Sequence, residues 1–424
     1  MIKFLFLGLV RDKQRSLIPI IVVAAGVALA TFLFSWMMGV FNDAIEGNAR
    51  FSTGHLKVMT RAYEEIASQV PNDLCLTNVD ALLDTLNNEF PSYTWTPRIK
   101  FGGLIDVPDS MGETRAQAPV FGIAADLLSE SSEEDKRLQI SKSVVKGHVP
   151  EKPGEVVLSD ELAGDLKLKV GDVVTLISVS ANGGMAIRNF TMAGTVVFGI
   201  TAMDRGAMIA DIKDIQYGLD MNNAAGEILG FERSMMYNSE QEEKTAQLFN
   251  KEYSDSNDVY SPIMLTLGQQ DGLGKYIDFA KSAGYLLVFI FVFAMALILW
   301  NTGLMSGIRR YGEVGVRLAI GESKSHIYKT LLAESVLIGI IGSTIGAIIG
   351  LIISYYLQEV GFDISSTFKN TTLMMNNVIR AQVTITSYYI GFIPGILAIF
   401  FGTAISGIGI FKRQTATLFK ELES

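Results

Sequence analysis

The chain has 424 residues, of which 49% are hydrophobic, and a formal net charge of −9. An acidic balance excludes the basic surface that nucleic-acid binding needs, so no nucleic-acid partner is expected. The single cysteine, Cys75, excludes an intrachain disulfide. The informative feature is how the apolar residues cluster. Residues 17–41, 282–308, 335–358 and 387–411 contain no Asp, Glu, Lys, Arg or His. Each is long enough to cross a hydrocarbon core of about 30 Å, which takes about 20 apolar residues in a helix. The first run is too long for the apolar region of a signal peptide, about 7–15 residues, and reads as an uncleaved span.

Basic residues orient the spans. Lys3, Arg11, Lys13 and Arg15 precede the first, Arg309, Arg310, Arg317, Lys324 and Lys329 separate the second from the third, and Lys412, Arg413 and Lys420 follow the fourth. These three segments alternate correctly to share the cytoplasmic side. The acidic excess lies in 42–281, which is therefore outside.

In chain order, residues 1–16 read as a short cytoplasmic or interfacial helix, or as part of a longer first helix kinked near Pro19. Span one is 17–41. The outer domain is 42–281. Its residues 54–59, 96–107 and 118–123 read as strands, and 79–86 as a helix with apolar residues three and four apart. Residues 155–158, 172–176 and 190–198 are rich in β-branched residues between Gly and Pro, which predicts strands. A helix at 212–219, a strand at 227–231 and a helix at 240–253 follow. The expected architecture is a membrane α-helical protein with four transmembrane helices. Its large α+β extracytoplasmic domain lies between helices one and two, as an α/β subdomain with a β-rich subdomain (about 125–210) inserted. Span two is 282–308, a cytoplasmic segment 309–334, span three 335–358, a short outer loop 359–386, span four 387–411 and a cytoplasmic tail 412–424.

Three features carry functional meaning. Segment 309–334 is amphipathic and basic, broken at Gly321, and its Val314, Val316, Leu318, Ala319 and Ile320 are too apolar for a solvated loop. Such a segment suits docking on a cytoplasmic partner. Gly342, Gly346 and Gly350 recur every four residues on one face of span three, a pattern that permits close helix packing. No phosphate-binding G-x-x-x-x-G-K-[ST] loop occurs, so the chain does not bind ATP in that manner. His55, His148 and His326 are far apart in sequence and have no neighbouring Cys or His, so no metal site is expected. No catalytic residue is expected either.

The segment from Arg309 to Ser335 resembles the coupling region of the FtsX/MacB-type ABC transporter permeases. The matching residues are Arg309 or Arg310, Glu313, Val314, Gly315, Val316, Ala319, Ile320, Gly321, Ile327, Leu331, Leu332, Glu334 and Ser335. Position 322 departs, with Glu where that family usually has a small residue. The run Pro153-Gly154-Glu155-Val156-Val157-Leu158 and the following Leu168-Lys169-Val170-Gly171-Asp172-Val173-Val174 resemble the family's periplasmic domain. Ser52-Thr53-Gly54-His55-Leu56-Lys57-Val58 is similar to the lipoprotein-releasing LolC/LolE branch. Where the LolC-type subunit carries a projecting hook, this chain has a short turn, 180–185.

The resemblance implies a non-catalytic permease subunit in a bacterial inner membrane, with its large domain in the periplasm. A separate cytoplasmic ABC ATPase dimer would bind ATP and Mg, and no cofactor would be bound by this chain. A second permease, itself or a sister subunit, would complete the complex, with lipoprotein cargo, a periplasmic chaperone and membrane lipid as further partners. Arg309, Arg310, Glu313, Val314, Gly315, Arg317, Ala319 and Gly321 would couple to the ATPase. A substrate cavity would lie at the outer ends of spans one and two, near Met37, Met38, Phe41, Tyr285 and Phe289. The implied function is release of lipoproteins from the inner membrane. The alternatives are MacB-like efflux of peptides or amphiphiles and FtsX-like mechanotransmission to a cell-wall hydrolase.

Overall fold

The computed structural model describes residues 13–109, 111–199, 201–233, 239–270, 273–308, 311–363 and 378–412. The main helices are α1 (Lys13–Asn48), α2 (Val79–Glu89), α3 (Ile212–Gly218), α4 (Ser239–Tyr253), α5 (Leu273–Ile308), α6 (Tyr311–Ala319), α7 (Lys324–Glu359) and α8 (Phe392–Lys412). Two compact units result. One holds the described parts of 1–41, 279–362 and 379–424, and the other those of 42–278 and 363–378.

The first unit is helical. Four helices are long and apolar enough to cross a membrane. Lys13–Ser16, expected before the first span, form the first turn of α1, which runs on through Pro19. Residues 1–12, the rest of the expected interfacial segment, and the tail beyond Lys412 lie outside the described residues. Between apolar helices in lipid there is little hydrophobic drive, so close backbone approach and van der Waals contact must hold them together. Glycine supplies that approach. A Cβ placed on Gly342 would lie 2.7 Å from Val23 Cβ, one on Gly346 2.4 Å from the Ala24 carbonyl oxygen, and one on Gly350 2.8 Å from the Ala28 carbonyl oxygen. The three glycines of α7 therefore seat α1 along their whole row. Gly303 of α5 and Gly402 of α8 meet in the same way, backbone against backbone. Val23, Val27, Met295, Leu299, Ile338 and Ile399 fill the space between these contacts.

The second unit is built on one ten-stranded sheet. Its strands are β1 (Leu56–Thr60), β2 (Tyr93–Pro108), β3 (Thr114–Ala125), β4 (Val144–Gly147), β5 (Glu155–Ser159), β6 (Val173–Val179), β7 (Met185–Val196), β8 (Ala207–Asp211), β9 (Glu227–Glu232) and β10 (Pro262–Thr266). The spatial order is β10-β1-β9-β2-β3-β8-β5-β7-β4, with β6 paired to β2 and β7. The 16-residue β2 joins the two halves: its first part pairs with β9 and its second with β3 and β6. The β-rich part expected at about 125–210 is thus continuous with the rest of the sheet through β2 and β3.

Charged groups are buried inside this unit in paired sets. Glu227 bridges Lys57 (2.9 Å) and Lys100 (3.1 Å). Burial alone would push the Glu227 carboxyl up, but Lys100 and Lys57 outweigh it and hold the group at about 2. Arg98 pairs with Glu134 at 2.8 Å and donates to the carbonyl oxygens of Arg50 (2.7 Å) and Phe51 (3.2 Å). His55 accepts from the Glu232 backbone N–H through Nδ1, which leaves Nε2 to donate to Glu46, 2.8 Å away.

Candidate coupling helix and apolar surface

The segment after α5 folds as a helical hairpin. α6 is amphipathic: Val314 is buried against Ile327 and Leu331 of α7, with Leu318 beside them. A Schellman closure ends α6. The Glu322 N–H donates to the Arg317 carbonyl oxygen and the Gly321 N–H to that of Leu318, each at 3.1 Å. This closure places Gly321 at φ +100°, where a side chain is strained although the space around it is open. Ser323 then caps α7, its hydroxyl accepting from the His326 N–H at 3.4 Å.

A side-chain clamp reinforces the closure. The Arg317 guanidinium donates two hydrogen bonds to the Glu322 carboxylate, 2.6 Å from Nε and 2.7 Å from Nη2. The same two residues therefore share a backbone bond and a bidentate ion pair. The hydrogen bond from Arg317 holds the Glu322 carboxyl below its ordinary range and, reciprocally, raises the Arg317 guanidinium. Because the Glu322 value is lowered on folding, the pair's contribution is present above the ordinary carboxyl range and is lost as pH falls through the lowered value. Glu322 is the position that departs from the family pattern, and its role was not readable from sequence. The usable signal is an acid five residues after an arginine across a glycine that ends a helix.

The structure divides the residues expected to couple. Val314 and Gly315 are buried; Val314 is spent on the hairpin's own packing and is not available to a partner. Glu313 and Ala319 are exposed, as are Val316 (39%) and Ile320 (82%), four residues apart on one face. Arg317 is half-buried in its clamp, and Gly321 shapes the turn. Arg309 and Arg310 lie outside the described residues.

The residues expected to line a cavity come together in part. A Cβ on Gly284 would lie 2.2 Å from the Phe41 ring, so Phe41 of α1 packs on α5 one residue before Tyr285. Met37 and Met38 are half-buried. Tyr285 and Phe289 are more than half exposed, and Phe289 stacks on Phe293 with ring centroids 6.2 Å apart. Phe41 thus meets α5 beside Tyr285, with Met37 one turn back along α1 and Phe289 one turn on along α5. Among the described residues, no cluster of three or more His, Cys, Asp or Glu could hold a metal ion.

Residues 285–415, which contain α6, its turn and the glycine-packed helices, match the family described as "FtsX-like permease C-terminal". Over these residues the chain is similar to an FtsX-like permease domain. Two curated relatives are similar over a longer stretch, both named "Lipoprotein-releasing system transmembrane protein LolC", from two strains of Xylella fastidiosa. The protein of strain 9a5c is 25% identical over 255 residues, 58% of this chain and 59% of the relative. That of strain Temecula1 is 26% identical over 234 residues, 54% of each. The chain thus spans somewhat more than half the length of the curated relatives it matches. Among solved structures, the periplasmic region of MacB from Actinobacillus actinomycetemcomitans aligns with 55% of this chain and 95% of its own, at 14% identity and a TM-score of 0.35. The resemblance read from the sequence, to FtsX/MacB-type permeases and within them to LolC, is borne out by the permease domain and the LolC relatives.

Proposed function

We propose that this chain is the permease subunit of an ABC transporter in a bacterial inner membrane and that it releases lipoproteins from that membrane. The observation that carries the reading is α6, a short helix clamped at its C-terminal end by Arg317 and Glu322 and leaving Val316, Ala319 and Ile320 uncovered. In this reading α6 docks in a groove of a separate cytoplasmic ATPase, which supplies ATP and Mg. Arg309, Arg310 and Glu313 contribute charge to the contact, and Gly315 lets α6 pack closely. The clamp makes α6 and α7 move as one piece, so closure of the ATPase dimer is passed to the spans. The domain between spans one and two faces the periplasm, and a second permease completes the complex. The apolar surface of Met37, Met38, Phe41, Tyr285 and Phe289 receives an acyl anchor from the outer leaflet, which must enter sideways from lipid. That the relatives carry the lipoprotein-releasing name supports this choice of cargo.

The test is the purified complex in lipid vesicles. Gly321→Val forces a β-branched residue into positive φ, a cost of about 1–2 kcal/mol, and should reorient α6 on α7. Together with Glu313→Lys it should abolish ATP-driven release of an acylated protein while the chain still inserts. Full release by both variants would show that α6 is an ordinary loop. Phe289→Asp should block cargo capture at a cost of a few kcal/mol and leave ATPase assembly intact. If crosslinkers at Met37 and Phe289 capture only lipid while those in residues 42–278 capture a cell-wall hydrolase, the chain is a mechanotransmitter instead.

A further inference from the structure

The long strand β2 changes partners along its length. From Ile99 onward it pairs with β3, and before that, from Tyr93 to Arg98, with β9 on its opposite edge. The backbone pattern shows which groups each edge presents. The His55 N–H donates to the Gly230 carbonyl oxygen, and the Glu232 N–H donates to His55, each at 2.9 Å. Gly230 and Glu232 therefore point towards β1. The alternate residues of β9, Glu227, Leu229 and Phe231, point towards β2 and pair with Arg98, Thr96 and Thr94. The backbone groups of Trp95 and Pro97 accordingly face the other edge, and no strand among the described residues pairs there.

β3 does not cover that edge because its chain is drawn aside. It ends at Ala125, and the chain just beyond it is held by buried Asp211, whose carboxylate accepts from the backbone N–H groups of Leu127 (3.0 Å) and Leu128 (3.2 Å). The divergence opens a cleft of about 890 Å³, inside the range of about 300–1,000 Å³ seen for binding pockets. Residues from both faces of β2 line it, Trp95 and Pro97 from one and Thr94 and Thr96 from the other. A cavity can touch both faces of one strand only where it wraps around the strand's edge. Pro97 fits such an edge, since it has no N–H to offer a neighbouring strand.

An open strand edge at the floor of a cleft selects for one ligand geometry. The Trp95 N–H and the carbonyl oxygens of Trp95 and Pro97 recur at the strand repeat, which an extended main chain matches and a helix or a compact small molecule does not. The walls differ as an added strand requires. Val79 and Leu83 of α2 make one side apolar, while Glu133 and Arg137 make the other polar. We propose that this cleft takes an extended polypeptide segment of a partner protein, which adds to the sheet as a strand beside residues 93–98, with alternate apolar side chains turned to α2.

The probe is a pool of nonapeptides in which valine alternates with randomised polar residues, selected on the full chain in detergent. The best binder is then compared with a copy N-methylated at alternate amides. We expect the methylated copy to bind at least ten-fold more weakly. The exposed Ser131 lines the cleft, so Ser131→Trp should weaken binding of the parent peptide at least ten-fold without changing the chain's thermal midpoint. Hydrogen exchange of the Trp95 amide should be rapid in the free chain and slow when the peptide is bound. Any of three results overturns the proposal: no peptide is selected, methylation or Ser131→Trp makes no difference, or the Trp95 amide is already protected in the chain alone. The last would mean that the edge is occupied by the chain itself.

Discussion

Gly346→Leu should prevent the helical unit from forming in its native packing. The argument is one of atoms. A Cβ at this position would sit 2.4 Å from the Ala24 carbonyl oxygen and 2.9 Å from the Ala24 Cα. Both are backbone atoms of α1, so no side-chain rotation can relieve the clash. The helices must separate, and the contacts at Gly342 and Gly350 are then lost as well. Overpacking a well-filled core costs about 1–3 kcal/mol when side chains can yield. Here they cannot, and we expect at least the upper end of that range. The measurement is the thermal midpoint of the purified chain in a fixed detergent, with proteolysis of the α1–α7 pair as a second readout. Thr344→Leu, two residues away on the exposed side of α7, should leave both unchanged. A Gly346→Leu protein with the native midpoint would show that α1 and α7 are not held by this glycine row.

Glu227→Gln should destabilise the sheet unit by about 3–5 kcal/mol, the range for breaking a buried ion pair by removing one partner. Lys57 is buried beside Glu227, and its side chain is 4% exposed. A neutral amide would take away the carboxylate 2.9 Å from that buried ammonium. Lys100 is less affected because its side chain reaches solvent. The wild-type pH dependence follows from the direction of the shift. The carboxyl is held at about 2 against an ordinary value of 4.5. Its contribution is therefore complete above 4.5 and is lost as pH falls from 4.5 towards 2. Denaturant midpoints between pH 7 and pH 3 should fall in the wild type, and the part due to Glu227 should vanish in Glu227→Gln. Replacing Glu227 and Lys57 together by methionine removes both charges and should recover most of the loss. If Glu227→Gln keeps the native midpoint, Lys57 is not relying on this carboxylate.

The elements readable from the sequence are those with a strong local signal. Charge-free runs located the four long apolar helices. Apolar spacing located α2, whose observed range Val79–Glu89 extends the expected 79–86. β-Branched runs located β5, β6 and β7. Three strands of the sheet were missed, β4, β8 and β10, the last two for different reasons. β8, Ala207-Met208-Ile209-Ala210-Asp211, is buried at every position and so lacks the alternation that marks a strand. β10 opens on Pro262, which reads as punctuation; at the sheet's edge its missing N–H is tolerated. α1 and α5 each continue for several residues beyond their apolar runs, because a helix can outlast the composition that places it in lipid.

The candidate site divides along similar lines. Gly321 was legible because a glycine closing an amphipathic run has one conformational reason to be there. That Val314 faces α7 was not, since an apolar residue on a short helix serves a partner or its own hairpin equally well. The Arg317–Glu322 clamp depends on the path of the turn, and the cleft beside β2 depends on Asp211 drawing the chain away from a strand more than a hundred residues earlier in the sequence. Neither has a local signature.

The order of strands in the sheet also sets a schedule for the ribosome. β1 is the first strand to be made, yet its two neighbours, β9 and β10, are the last. Until β9 has been synthesised, the apolar strand Leu56-Lys57-Val58-Met59-Thr60 has neither edge paired, and the edge that β10 covers stays open until residue 266. Pairings this distant in sequence form slowly, and an unpaired strand edge is prone to aggregation while it waits. A nascent chain halted before β9 has emerged from the ribosome would therefore present both edges of β1 to a quality-control protease, whereas one from which β9 and β10 have both emerged would shield them.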